Sequence, residues 1–82
     1  MSTVRDVVEV LAKALTDQHD QIRVIESEQK GTTLVELYVA PGEVGRVIGK
    51  QGKTAAALRT LAATAGEKIG KTVTLEIRDG RP

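Results

Sequence analysis

The chain has 82 residues, a formal net charge of +1 and no cysteine. That length allows one domain with an economical core, and the missing cysteine excludes a disulfide framework and a thiolate metal site. Phe and Trp are also absent and Tyr38 is the only aromatic residue, so the core must be built from Val, Ile, Leu and Ala.

Val4, Val7, Val8, Leu11 and Leu15 recur at helical spacing, with Arg5, Asp6, Glu9 and Lys13 between them. This predicts an amphipathic helix over residues 3–17 that starts at a capping-box-like Thr3-x-x-Asp6 and lays its stripe on a sheet. The charges interrupt the apolar pattern of residues 1–20, which is therefore no signal peptide. No apolar run reaches the length of a membrane span, and the expected location is the cytoplasm. His19 is the only histidine. With no second histidine for a metal and no Cys, it reads as a solvated or helix-capping residue.

Residues 21–28 alternate imperfectly and predict a strand, possible as an edge strand. Gln29-Lys30-Gly31 is a turn, and residues 32–39 form a second strand with Val35, Leu37 and Val39 on one face. The short Gly-containing connection makes the two a hairpin. Pro41-Gly42 ends it. Glu43 to Ile48 spans one or two helical turns, with Val44, Val47 and Ile48 inward. Gly45 costs that helix stability, which a close packing contact or the close approach of a ligand would explain. From Lys53 to about Lys68 the spacing of Leu58, Leu61, Ala62, Ala65 and Ile69 is helical again, and Gly70 is the stop. Val73, Leu75 and Ile77 then alternate with Thr72, Thr74, Glu76 and Arg78, a half-buried strand over 72–78. Asp79 to Pro82 is a short tail.

The predicted order is α-β-β-α-α-β, an α+β single domain over residues 1–82 with its core at about 3–78. Three helices should cover one face of a three-stranded mixed sheet. The last strand returns after a helical crossover, so it should run parallel to one member of the hairpin.

Between the second and third helical patterns lies Val47-Ile48-Gly49-Lys50-Gln51-Gly52-Lys53-Thr54. Gly49 and Gly52 carry no Cβ and admit positive φ, so a ligand can approach their backbone. The helix opened by Lys53 and Thr54 offers unpaired N–H groups to an anion. Charge gathers here: residues 43–59 hold Arg46, Lys50, Lys53 and Arg59 against Glu43, a local charge of +3. The remainder holds eight basic and ten acidic residues, a charge of −2. Such a distribution suits an anion-binding edge on a neutral scaffold.

The run Gly45-Arg46-Val47-Ile48-Gly49-Lys50-Gln51-Gly52-Lys53 resembles the signature of KH domains. The element order resembles the type II arrangement of that family, and nearly the whole chain is similar to small bacterial single-KH-domain RNA-binding proteins. The resemblance implies single-stranded RNA binding through a Gly-x-x-Gly loop that clamps about four nucleotides. It implies that Gly49, Lys50, Gln51 and Gly52 hold phosphates, that Arg46 and Lys53 add charge, and that Val47 and Ile48 line a groove or pack beneath it. It also implies an RNA chaperone or post-transcriptional regulator that self-associates or pairs with a larger Jag-like KH protein (KhpB). Neither a membrane partner nor a cofactor is expected. Two roles stay open for Tyr38, stacking on a base or covering sheet surface. The facing of Arg59 stays open too.

Two other readings touch parts of this sequence. Gly52-Lys53-Thr54 reproduces the end of a nucleotide-phosphate loop, but its first glycine would fall at Val47, so that motif fails. A protein-interaction module on a KH scaffold, with little or no RNA binding, is the remaining alternative. Ala56, Thr60 and Ala63 form a small-residue face that suits a dimer contact or a plain helix surface. Catalysis has no pattern to rest on: Ser2 and Ser27 have no sequence-local base, and the carboxylates are scattered. The expectation is a binding protein and no enzyme.

Overall fold

The computed structural model describes residues 3–16 and 19–80. Its elements are α1 (Thr3–Leu15), β1 (Arg23–Gln29), β2 (Thr32–Val39), α2 (Val44–Ile48), α3 (Lys53–Lys68) and β3 (Thr72–Asp79), with a single turn at His19–Gln21 before β1. The order is the expected α-β-β-α-α-β. The side chains of Thr3 and His19, on which the capping reading and the histidine reading fall, lie outside the described residues, as do Ser2 and the last two residues.

The alternation of β2 dictates the sheet. Val35, Leu37 and Val39 have no accessible surface, and they face the helices together with Ile22, Val24 and Leu75. A strand apolar on one face must bury that face against another layer. Here Val4, Val8 and Ala12 of α1, Val47 of α2, and Leu58 and Ala62 of α3 supply it. The strands lie in the order β1-β2-β3, which makes β1 an edge strand. β1 pairs antiparallel with β2 across the Lys30-Gly31 turn, while β3 pairs parallel with β2, Val35 opposite Leu75. β3 runs one residue further than the alternation predicts and takes in Asp79, whose carboxylate accepts from the Gly42 N–H at 3.2 Å. This contact ties the turn before α2 to the end of the sheet.

Helix α3 departs from its expected stripe. Leu61 is 47% exposed and Ile69 45%, whereas Ala55, Leu58, Ala62 and Gly66 are buried. The buried set contains a glycine for a steric reason. A Cβ on Gly66 would stand 2.4 Å from Val73 Cγ2 and 2.9 Å from the Lys71 carbonyl oxygen. The helix therefore sits close to β3 through its small residues, and the larger Leu61 and Ile69 are turned off the sheet. Ala12, absent from the predicted α1 stripe, is buried for the same reason: small side chains let the helices approach. α3 ends as expected, with Gly70 at φ 73° and the Lys71 N–H donating to the Gly66 carbonyl at 2.8 Å.

Candidate nucleic-acid interface

The turn over Lys50–Gly52 joins α2 to α3. Gly49 has φ 76° and ψ 176°, a conformation open in practice only to glycine. Gly52 is left-handed at φ 72° and ψ 11°. Gln51 is left-handed as well, at φ 58° and ψ 26°. Residue type alone assigns the special backbone demands to the two glycines; the structure adds Gln51, which is strained there. The loop is held from below by Thr54, since a Cβ on Gly49 would come within 2.2 Å of Thr54 Oγ1. Thr54, the last residue of the motif, thus sets the shape of the turn.

Lys50, Gln51 and Lys53 are exposed around this turn. The two lysines make no ion pair among the described residues, so their charge is available to a ligand. Val47 has no accessible surface and belongs to the core cluster, which makes it the packing residue beneath the loop; Ile48 is half-buried. Open space surrounds the missing Cβ of Gly45, so close packing within the chain does not account for that glycine.

Arg46 is 59% exposed on its side chain and sits 3.4 Å from the Glu43 carboxylate, which also accepts a 2.8 Å hydrogen bond from buried Thr16 Oγ1. Glu43 thereby links the end of α1 to the basic side of α2. No short motif could have revealed this link, because Thr16 and Glu43 are 27 residues apart.

Along the middle of α3, that helix and β3 enclose an open groove of about 390 Å³, which no residue of the glycine turn lines. Arg59, Thr60 and Ala63 form its helix wall, and Val73, Thr74, Leu75 and Glu76 its strand wall. Arg59 therefore faces the groove, and Thr60 and Ala63 of the small-residue face lie in it. Small side chains on the helix keep the groove open. β3 carries β2 on one side only, so its second edge has no strand partner in the sheet.

Tyr38 lies outside this groove. It sits on the opposite face of the sheet, paired with Arg23 on β1 and Arg78 on β3, and is only 9% exposed. Its hydroxyl donates to Glu36 Oε2 at 3.1 Å, and the same oxygen accepts from Arg78 Nε at 2.8 Å. Loss of water around the hydroxyl and the adjacent Glu36 carboxylate raise the Tyr38 pKa, so it stays a neutral donor. Of the two roles left open for Tyr38, covering sheet surface is the one this packing serves.

A second, wholly apolar groove of about 180 Å³ runs between α1 and α3. Leu11, Leu15 and Leu61 line it with Ala14, Ala57 and Thr54. No helix among the described residues is long and apolar enough to cross a membrane. No group of three or more His, Asp or Glu side chains that could hold a metal ion occurs among them either.

The family description KhpA/KhpB, KH domain, matches residues 5–77. The chain is 53% identical over 77 residues to RNA-binding protein KhpA of Aquifex aeolicus, covering 94% of this chain and 98% of the relative. It is 44% identical over 72 residues to RNA-binding protein KhpA of Caldanaerobacter subterraneus, covering 88% and 96%. It is 42% identical over 76 residues to RNA-binding protein KhpA of Halalkalibacterium halodurans, covering 93% and all of the relative. Fold, element order and these matches agree: the chain belongs to the KhpA/KhpB KH-domain family.

Proposed function

We propose that the chain binds single-stranded RNA, with Gly49, Lys50, Gln51 and Gly52 holding the sugar-phosphate backbone. Arg46 and Lys53 add charge, and bases enter the groove between α3 and β3. Val47 and Ile48 support the loop from beneath. The observation that carries the reading is the turn itself: two glycines and a left-handed Gln51 expose backbone, and unpaired lysines flank it. The bare flank at Gly45 lets a strand lie close to α2. The relatives' name, RNA-binding protein, supports the same ligand. The role is one of binding, as an RNA chaperone or post-transcriptional regulator in the cytoplasm, with no catalytic step.

One domain that grips a few nucleotides binds weakly, and two linked domains gain avidity. The apolar groove between α1 and α3, with Leu61 half-exposed at its rim, favours self-association or pairing with a Jag-like KH protein (KhpB) as the accompanying protein contact. The alternative that this contact is the whole function is separated by competition binding. Labelled single-stranded RNA should be displaced by unlabelled single strand and poorly by duplex. Its log affinity should fall with log salt by roughly 0.7 per phosphate neutralised. Salt-independent binding, or tighter binding to duplex, would reject the loop-and-groove reading.

A further inference from the structure

Glu43 stands directly before α2, and its two carboxylate oxygens serve two different elements. Oε1 accepts from the Thr16 hydroxyl at 2.8 Å, and Oε2 lies 3.4 Å from Arg46 Nε. Thr16 follows α1 and is only 4% exposed. A buried hydroxyl left without an acceptor is unfavourable, which keeps this bond made. The backbone around Glu43 is held as well. Its N–H donates to the Ala40 carbonyl at 2.9 Å, and the neighbouring Gly42 N–H donates to Asp79 at 3.2 Å. With one oxygen tied and the backbone fixed, the carboxylate has little rotation left, and its second oxygen is presented to Arg46. That arginine follows Gly45, whose missing Cβ has open space around it. An ion pair as exposed as Glu43–Arg46 holds little by itself. Its direction comes from the buried bond to Thr16.

We propose that Thr16 is a positioning residue for RNA binding: through Glu43 it sets where the Arg46 guanidinium is held before a phosphate arrives. The inference rests on the RNA-binding reading and deepens it, extending the site from the glycine turn back to the end of α1. An arginine side chain has many rotamers to give up on binding, and one already oriented gives up fewer. Its guanidinium has several N–H donors, enough for a carboxylate and a phosphate at once. Charge alone acts in the other direction. Glu43 is an anion beside a phosphate site, so a carboxylate that did not orient Arg46 would only repel the ligand and neutralise its cation. Removing the carboxylate therefore has opposite signs in the two cases.

The test uses the full chain and a labelled single-stranded RNA of mixed sequence, read by fluorescence anisotropy at fixed salt, with circular dichroism to check the fold. Thr16→Val removes the hydroxyl, keeps the shape of the side chain and changes no charge. It should weaken RNA binding by about two- to fivefold, the size of an exposed ion pair's contribution. Thr16→Ser, which restores the hydroxyl, should bring the affinity back. Glu43→Ala should also weaken binding, although it removes a negative charge. In an Arg46→Ala background Thr16→Val should have no further effect on affinity, since its effect passes through that arginine. A merely structural role would act equally in both backgrounds. Tighter binding by Glu43→Ala would overturn the proposal, leaving charge as the whole effect of Glu43. So would unchanged affinity in a folded Thr16→Val variant, or a loss that persists undiminished without Arg46. If Thr16→Val does not fold, the sign of the Glu43→Ala effect decides alone. Each of these results leaves RNA binding by the parent chain standing. A parent chain that binds no RNA would overturn the RNA-binding reading and this proposal with it.

Discussion

Gly49 and Gly52 occupy the two ends of the same turn, yet replacing each with alanine should have unequal consequences. At Gly49 two costs add. Its φ 76° and ψ 176° lie where a side chain is hardly tolerated, which costs on the order of 1–3 kcal/mol. The new Cβ would also meet Thr54 Oγ1 at 2.2 Å, Thr54 Cβ at 2.6 Å and the Thr54 nitrogen at 3.1 Å. A rotamer change cannot clear a backbone nitrogen and a Cβ, so the turn or the start of α3 must shift. Forced shifts of this kind cost about 1–3 kcal/mol. Gly49→Ala should therefore lose about 2–6 kcal/mol, a large part of the roughly 5–15 kcal/mol that holds a domain together. Gly52 has φ 72° and nothing within 4 Å of an added Cβ. Gly52→Ala bears only the left-handed backbone cost, about 1–2 kcal/mol. Urea denaturation followed by circular dichroism measures both. Adding Thr54→Ala to Gly49→Ala should not restore stability, because the Thr54 Cβ position at 2.6 Å remains filled. Equal losses for the two glycine variants, or a Gly49→Ala loss within about 0.5 kcal/mol of zero (the scatter of ordinary surface substitutions), would refute the reasoning.

Replacing Lys50 and Gln51 together with Asp removes one positive charge and adds two negative ones on exposed side chains, and Asp accepts the left-handed conformation at position 51. RNA affinity should fall at least about tenfold, since each like-charge contact near 4 Å costs about 1 kcal/mol even in water; an unchanged anisotropy titration in a folded double variant would count against the loop. Gly66→Ala should destabilise the domain although Ala is the better helix former by about 1 kcal/mol, because its Cβ would stand 2.4 Å from Val73 Cγ2; a raised melting temperature would show that β3 yields easily. Glu28 has its pKa lowered, first by the Thr33 hydroxyl and then by Lys71. A carboxylate depressed in the folded state stabilises above its unfolded pKa and loses that contribution as pH falls through the folded value. Melting temperature should thus decline on acidification below the ordinary value of 4.5, and less steeply in Glu28→Gln; identical pH profiles would exclude Glu28 as a contributor.

The amino-acid sequence by itself determined the layers of this protein. Alternation reports burial on one face of a strand, and it named Val35, Leu37, Val39 and Leu75 as inward residues, all of them buried. The short Gly31 turn dictated the hairpin, and the helical crossover dictated the parallel return of β3. The glycine turn was legible because its residue types carry its backbone geometry. What only the tertiary structure decided depends on neighbours distant in the chain. Whether Leu61 faces the sheet depends on how closely α3 approaches, and Gly66 against Val73 sets that distance. Tyr38 is covered because Arg23 and Arg78 arrive from two other strands. Thr16 reaches Glu43 only once α1 has packed beside α2. The facing of Arg59 required α3 and β3 to be set side by side. Periodicity specifies which face of an element is apolar. It does not specify the distance or rotation at which two elements meet, and a groove is made of that distance.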